Sequence, residues 1–150
     1  MGLHQFIEKV LSRWQRLPAP VNDANELGRW GEEVAVWFLK RHGFRILRRN
    51  FRPRRNCEID IVARDKKERM LCFVEVKTRS NVEYGRPAMA VDEAKRRRII
   101  RGARLWLRAL NCPEVSYRFD IVEVIVRGGE EQPEVNHLRG AFRIEDDVFR

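Results

Sequence analysis

Cysteine is scarce in this sequence, and its few positions exclude several kinds of protein. The three cysteines, Cys57, Cys72 and Cys112, are odd in number and widely spaced. No C-x-x-C pair and no cluster of cysteine with histidine occurs, so neither a disulfide framework nor a zinc site is expected. A reducing, cytoplasmic compartment is the simplest expectation for such a chain.

Long apolar runs are missing as well. No stretch approaches the roughly 20 uninterrupted apolar residues that a membrane-spanning helix needs, and charges interrupt every apolar run near the N-terminus. We therefore expect neither a membrane span nor a secretory signal. With 150 residues, 43% of them apolar, the chain can form one domain with a hydrophobic core.

Positive charge, by contrast, is abundant. Lysine and arginine number 31 against 22 aspartates and glutamates, which gives a net charge of +9. One basic group lies within residues 45–55 and a second within residues 95–108. Such an excess favours polyanionic partners, because lysine and arginine neutralise phosphates and release their counterions. Nucleic acid is therefore the expected partner, although a basic composition alone is also found in ordinary soluble proteins.

The first residues form a segment of their own. Apolar side chains recur at helical spacing over residues 3–17, and Pro18 and Pro20 end that helix. Residues 1–24 are interpreted as an amphipathic helix with a linker, followed by one domain at residues 25–150. The helix is expected to dock on its own domain or on a partner subunit, which leaves a homodimer open. A membrane-surface role is less supported because the helix carries few cations.

Two further helices are expected within the domain. Residues 25–41 and 91–110 place apolar side chains at intervals of three and four. Asn25 is the expected N-cap of the first of them, and Gly43 its C-terminal stop. Between and after these helices the pattern changes to that of strands, so the order of elements predicts an α/β domain with a mixed sheet.

The strands are separated by clear turn signals. They are expected at residues 44–51, 58–64, 70–77 and 117–126, with a short closing strand near 135–144. A polar turn at residues 65–68 joins two of them, which should pair as an antiparallel hairpin. Residues 78–90 contain Gly85 and Pro87 and are expected to form an irregular loop.

Two carboxylates and a lysine stand out within the apolar strands. Side chains alternate between strand faces, so Glu75 and Lys77 share a face at the end of an apolar run. Asp60 lies in a second apolar run, where an unpaired carboxylate is costly. In a hairpin, Asp60 and Glu75 can lie close together and suit a hard cation such as Mg²⁺ or Mn²⁺. Lys77 would then stabilise transition-state charge or position a water. The competing interpretation is a cross-strand ion pair.

The first helix of the domain adds a further acidic candidate. With Gly31, Val34 and Leu39 on the buried stripe, helical spacing places Glu32 on the flank of that stripe and Glu33 nearly opposite it. Glu32 can therefore lean towards the sheet while Glu33 faces water. Two solvated glutamates near a helix N-terminus, favoured by the helix dipole, are the alternative.

Three motifs together resemble one known family. They are GRWGE at residues 28–32, EIDIVARD at 58–65 and FVEVKTR at 73–79. In these motifs the sequence resembles the YraN-like family of small bacterial proteins, which is similar to archaeal Holliday junction resolvases and belongs to the PD-(D/E)XK, restriction-endonuclease-like superfamily. The resemblance covers residues 26–126, and Cys57 stands where the family usually has glycine.

The resemblance carries expectations for both the fold and the site. It implies a restriction-endonuclease-like core, with a mixed central β-sheet flanked by helices. It also implies a metal-binding and catalytic set at Glu32, Asp60, Glu75 and Lys77, with Mg²⁺ or Mn²⁺ as the cofactor. Membership of such a superfamily does not by itself establish turnover, because a fold can persist without its chemistry.

The expected nucleic-acid surface combines the two basic groups. In the helix at residues 91–110, arginines recur at intervals of three and four opposite the apolar face. The residues expected to contact nucleic acid are Arg52, Arg54, Arg55, Arg79, Lys95, Arg97, Arg101 and Arg104. A solvated helix face is the alternative interpretation of this stripe. Since no recognition-helix motif and no aromatic stacking platform occurs, binding should follow backbone shape more than base sequence.

These observations support one leading hypothesis and two others. The leading one is a Mg²⁺- or Mn²⁺-dependent endonuclease that hydrolyses structured or branched DNA. The second is a non-catalytic nucleic-acid-binding module that retains the nuclease fold. The third, a structural protein acting through its N-terminal helix, explains neither the basic groups nor the carboxylates within apolar strands. Close approach of Asp60 and Glu75 in the folded chain favours the first.

Overall fold

The computed structural model describes residues 19, 20, 22–80, 91–111, 114–126 and 133–144. This part of the chain forms two helices and five strands, whose bounds are set by capping and turn residues. The helices are α1 (Ala24–Arg41) and α2 (Glu93–Ala109). The strands are β1 (Phe44–Phe51), β2 (Ile59–Asp65), β3 (Met70–Ser80), β4 (Tyr117–Val126) and β5 (Glu134–Phe142). The helix expected at residues 3–17 lies outside the described residues.

The strands form one mixed sheet. Their order is β1-β2-β3-β4-β5, and β3 and β4 are parallel while the other neighbouring pairs are antiparallel. The prediction of an α/β domain with a mixed sheet is therefore confirmed, and so is the antiparallel hairpin of β2 and β3. The arrangement is consistent with the nuclease-like core that the resemblance implies.

Two local predictions were wrong. Helix α1 begins at Ala24 because the side chain of Asp23 accepts hydrogen bonds from the backbone N–H groups of Asn25 and Glu26, so Asp23 and not Asn25 is the N-cap. Strand β3 continues to Ser80, so the first three residues of the loop expected at 78–90 are strand. They pair with the parallel strand β4, a contact that local sequence does not reveal.

Both faces of the sheet are covered by a helix. On the α1 face, Val34 and Leu39 pack with Ile61, Val74 and Val122. On the other face, α2 contributes its buried residues to a second cluster, formed by Ile99, Ala103, Ile59, Phe73 and Phe119, among others. Neither described helix is long and apolar enough to cross a membrane. The central strands are therefore apolar on both sides, which isolates any charged residue within them.

A glycine brings α1 unusually close to the sheet. A Cβ atom at Gly31 would lie 1.8 Å from the hydroxyl oxygen of Thr78 in β3. Since real contacts of a Cβ atom are never this short, only glycine allows the helix to pack here. The contact therefore sets how closely α1 packs against β3.

A buried ionic network lies where β3 and β4 begin. The carboxylate of Asp120 is fully buried, accepts hydrogen bonds from Arg118 Nε and from the backbone N–H of Gly140, and lies 2.9 Å from His137 Nε2. Arg118 also pairs with Asp65 at 3.0 Å. Burial alone would raise the pKa of Asp120, but these partners outweigh burial and lower it. Because each charge has a partner, this network is structural.

Candidate metal and nucleic-acid site

Two buried carboxylates meet at the end of the hairpin opposite the structural network. Ile61 of β2 lies opposite Val74 of β3, so Asp60 and Glu75 are the next residues outward on the two antiparallel strands. Their relative exposures are 6% and 3%. Asp60 Oδ2 accepts a hydrogen bond of 2.8 Å from the backbone N–H of Val76. Among the described residues, the buried Oε2 atom of Glu75 has no hydrogen-bond partner.

The surroundings of Glu75 disfavour the charged form of its carboxylate. Burial and the charge of Asp60 together raise the pKa of Glu75 from 4.5 to about 8, although Lys95 and Lys77 act in the opposite direction. Burial is the larger cause, so the two carboxylates resist being charged together even with two ammonium groups nearby. A cation bound between them would favour their charged forms.

Two lysines approach the same carboxylate from different elements. The Nζ atom of Lys95, in the first turn of α2, lies 3.5 Å from Glu75 Oε1 and 3.1 Å from Glu58 Oε2. The Nζ atom of Lys77, two residues along β3 from Glu75, lies 4.0 Å from the same Oε1 atom. Lys95 was expected on the nucleic-acid surface, and the structure places its ammonium among the carboxylates.

Glu32 faces the pair from helix α1. It is half-buried, and its pKa is raised by burial and by the charge of Asp60, against the opposing effect of a hydrogen bond with Asn50. The neighbouring Glu33 pairs with Arg49 of β1, whose charge also acts on Glu32. Glu32 therefore lies near Asp60, while Glu33 forms an ion pair with β1.

Asp60 and Glu75 are the candidate ligands for a metal ion. A Mg²⁺ ion in proteins commonly takes one or two carboxylates and completes its shell with water and substrate oxygens. The unpartnered Oε2 atom of Glu75 beside Asp60 fits that requirement. Within the described ranges, no group of three or more histidine, cysteine, aspartate or glutamate side chains is arranged to hold a metal. Glu32 thus stands beside the pair without completing a set of three.

The basic residues after β1 lie next to this site. Arg52 is 62% exposed at its side chain and pairs with Glu58 Oε1 at 2.8 Å. Arg54 and Arg55 follow it and are exposed to solvent. Because Glu58 also holds Lys95, Arg52 lies at one margin of the carboxylate pair.

The expected arginine stripe on α2 faces solvent. Arg97, Arg101 and Arg104 are exposed, and Arg97 pairs weakly with Glu93 at 3.4 Å. Lys95 lies on the same helix, but about 200° of helix rotation separates it from Arg97, so the stripe faces solvent on the side of α2 away from the carboxylates. Arg79 extends from β3 on the sheet face that α2 covers.

Sequence reasoning missed two acidic residues near the site. Glu58 bridges Arg52 and Lys95, and it could have been found as the charged residue immediately before an apolar strand. Glu123 of β4 is 2% exposed and pairs with Arg79 at 3.5 Å. It lies opposite Lys77 in the parallel register, and its signal was a carboxylate inside the apolar strand at residues 117–126.

Comparison with known proteins shows the family of this chain. The model of an uncharacterised protein family, UPF0102, matches residues 31–124. A UPF0102 protein of Chlorobium phaeobacteroides strain DSM 266 is 41% identical over 128 residues, which cover 83% of this chain and 98% of that protein. A UPF0102 protein of Syntrophotalea carbinolica is 47% identical over 119 residues, covering 79% and 93%. One from Geobacter metallireducens is 43% identical over 118 residues, with the same coverage. The chain belongs to the UPF0102 family, the YraN-like group that its motifs resemble.

Proposed function

We propose that this protein is a Mg²⁺- or Mn²⁺-dependent endonuclease that acts in the cytoplasm on nucleic acid, with structured or branched DNA as the preferred substrate. The observation that carries the proposal is the Asp60–Glu75 pair, buried together with one carboxylate oxygen lacking a hydrogen-bond partner among the described residues. An ordinary cross-strand ion pair would not place two acids side by side. Such perturbed, buried acids are characteristic of functional sites.

Each residue of the site has a distinct task in this proposal. Asp60 and Glu75 would hold the metal, which polarises the scissile phosphate and helps to generate hydroxide when bound. Lys77 shares a strand face with Glu75 and keeps 30% of its side chain exposed, so its ammonium can approach a substrate phosphate. Glu32 stands at the rim of the pair, where its carboxylate can orient a water by hydrogen bonding.

The phosphate-binding part of the proposal is carried by two exposed groups of arginines. Arg52, Arg54 and Arg55 follow β1, where Arg52 shares Glu58 with Lys95, and Arg97, Arg101 and Arg104 form the solvent-facing stripe of α2. Guanidinium groups bind phosphate oxygens through paired hydrogen bonds. A backbone held by Arg52 would pass beside Glu58, next to the carboxylate pair, and the α2 stripe would bind phosphates outside the site. DNA geometry, rather than base sequence, would then decide which substrates bind.

One observation favours the second candidate, a nucleic-acid-binding module without catalysis. The charge of Glu75 is already opposed by Lys95 and Lys77, at 3.5 and 4.0 Å, and no three-carboxylate metal group is found among the described residues. In such a module the same arginines would bind phosphates and the carboxylates would remain metal-free. Metal binding therefore separates the two candidates.

The first prediction concerns that metal. Replacing Asp60 with asparagine, or Glu75 with glutamine, should weaken Mn²⁺ binding at least about tenfold, because each change keeps the side-chain size and removes one charged ligand. Isothermal titration calorimetry of the full chain measures the affinity. Glu33→Gln is the matched control, since Glu33 lies on the same helix as Glu32 but pairs with Arg49. Unchanged Mn²⁺ affinity in both site variants would refute the metal site.

The second prediction concerns the arginine stripe. Binding of duplex DNA should weaken steeply with added salt, and replacing Arg97, Arg101 and Arg104 together with alanine should make the salt slope shallower. Each lost phosphate contact reduces the slope by about 0.9, so a change of roughly 2–3 is expected. Fluorescence anisotropy over a range of salt concentrations measures it.

A triple variant at the far end of the hairpin provides the control. Lys66, Lys67 and Arg69 are exposed at the turn between β2 and β3, and their removal deletes the same number of positive charges. This control should leave the salt slope nearly unchanged, because the turn lies away from the carboxylate pair. Equal slopes for the stripe variant and the wild type would show that the stripe is only a solvated face.

A further inference from the structure

The ammonium group of Lys95 occupies a position that the proposed function leaves unexplained. Its Nζ atom lies between two carboxylates, 3.1 Å from Glu58 Oε2 and 3.5 Å from Glu75 Oε1. Only 20% of the Lys95 side chain is exposed, so the contact is not an ordinary surface pair. The backbone N–H of Lys95 is held by the N-cap residue Asp92 at 2.8 Å, which anchors the base of the side chain in the first turn of α2.

We propose that Lys95 is a built-in counter-cation of the Asp60–Glu75 pair, which competes with a divalent cation for Glu75 and so sets the affinity of the metal site. This inference rests on the proposed metal site. The structure supports competition because the ammonium lies against the carboxylate that the metal needs. A lysine suits this task, since its charge sits on a flexible stem of four carbons and can move without disturbing the helix.

Glu58 gives the displaced ammonium a second partner. It already provides the shorter of the two contacts of Lys95, and its own side chain is 22% exposed. When a metal ion takes Glu75, the ammonium can leave that carboxylate and remain paired with Glu58. Glu58 also holds Arg52, whose guanidinium is largely exposed. A released Lys95 would therefore join a positive surface at the margin where phosphates are proposed to bind.

Lys77 is not equivalent to Lys95 in this respect. It lies 4.0 Å from Glu75 Oε1 and extends from the same strand, two residues away. Among the described residues, Glu58 forms an ion pair with Lys95 and not with Lys77. Lys95 thus has two alternative carboxylate partners, one inside and one outside the proposed metal pair. This difference makes opposite predictions for two single substitutions.

The test measures Mn²⁺ affinity by calorimetry on the full chain, without reference to cleavage. Lys95→Met removes the competing charge and keeps the length of the stem, so Mn²⁺ should bind about tenfold more tightly than to the wild type. Glu58→Gln removes the second partner and confines the ammonium to Glu75, so Mn²⁺ should bind several-fold more weakly. Lys95→Arg retains the charge and should resemble the wild type. Lys67→Met, an exposed loss of the same charge at the turn between β2 and β3, should change little.

The outcomes separate this inference from the proposed function. If the wild type binds Mn²⁺ but Lys95→Met binds no more tightly, Lys95 is a structural ion pair and the inference is wrong. If only Lys95→Met binds Mn²⁺, the competition is supported in its strongest form. If no protein binds Mn²⁺, both the metal site and the inference are overturned. Thermal melting checks that each variant folds, and if Lys95→Met does not, a Glu58→Gln affinity equal to the wild type refutes the inference.

Discussion

Replacing Lys77 with alanine is expected to slow phosphodiester cleavage on the order of 10²–10³-fold, the usual effect of losing one positioned electrostatic group. Its ammonium lies 4.0 Å from Glu75 Oε1, and its side chain is 30% exposed. Charge that develops only in the transition state gives such a group a larger effect on the reaction than on binding. Mn²⁺ and DNA affinities should therefore change far less than the rate.

The measurement is single-turnover cleavage at saturating DNA, with Mg²⁺ or Mn²⁺, on linear, nicked, flapped and four-way substrates. Lys67→Ala is the matched control, because Lys67 is exposed at the other end of the same hairpin and should leave the rate unchanged. Equal rates for Lys77→Ala and the wild type would refute the role of Lys77 while keeping the nuclease. A wild type that cuts none of these substrates would favour the non-catalytic module.

The sequence predicted the strands best where the local pattern is strong. The bounds expected for β1 and β4 agree with Phe44–Phe51 and Tyr117–Val126, since both are set by nearby turn residues and by β-branched or aromatic side chains. The end of β3 was wrong because a non-local partner decides it. Its last residues are held by parallel pairing with β4, which opposes the loop signal of the glycine and proline that follow.

In the candidate site, too, the local contacts could be predicted from the sequence and the non-local contacts could not. Alternation along β2 and β3 was enough to place Asp60 beside Glu75, because the hairpin is a local structure with a short turn. The partners of Lys95 could not be predicted, since they depend on how the first turn of α2 docks against the start of β2. A lysine in a run of arginines is typical of a solvated face. Only tertiary contact shows it among carboxylates.

Neutralising two buried acids of the sheet, Glu75 and Asp120, should change the free energy of unfolding in opposite directions. Asp120 has all its partners in the structural network, whereas Glu75 lies against Asp60 with one oxygen unpartnered among the described residues. The pKa of Asp120 is lowered from its ordinary value of 3.8, and that of Glu75 is raised from 4.5 to about 8. The charged form of Asp120 thus stabilises the fold, while the charged form of Glu75 destabilises it.

The direction with pH follows from proton binding in the two states. Because the folded pKa of Glu75 exceeds its unfolded value, the folded protein binds more protons, and stability is lost as pH rises from about 4.5 through 8. For Asp120 the folded pKa is the lower one. The stability that charged Asp120 contributes is therefore present above pH 3.8 and is lost as pH falls through the folded pKa. The direction in which stability changes with pH therefore distinguishes Glu75, the proposed functional carboxylate, from Asp120, the structural one.

Glu75→Gln should accordingly raise the free energy of unfolding at pH 9, by on the order of 2 kcal/mol, and flatten its fall between pH 5 and pH 9. The gain stays below the full effect of the pKa shift, because the glutamine amide remains buried and the lysines lose a partner. Asp120→Asn should lower the free energy of unfolding at pH 7 by on the order of 3 kcal/mol, because Arg118 and His137 lose their buried charged partner. Urea unfolding in EDTA, followed by circular dichroism, measures both. If Glu75→Gln were destabilised at pH 9 as much as Asp120→Asn, Glu75 would be structural like Asp120. The electrostatic basis for placing a cation beside Glu75 would then be lost.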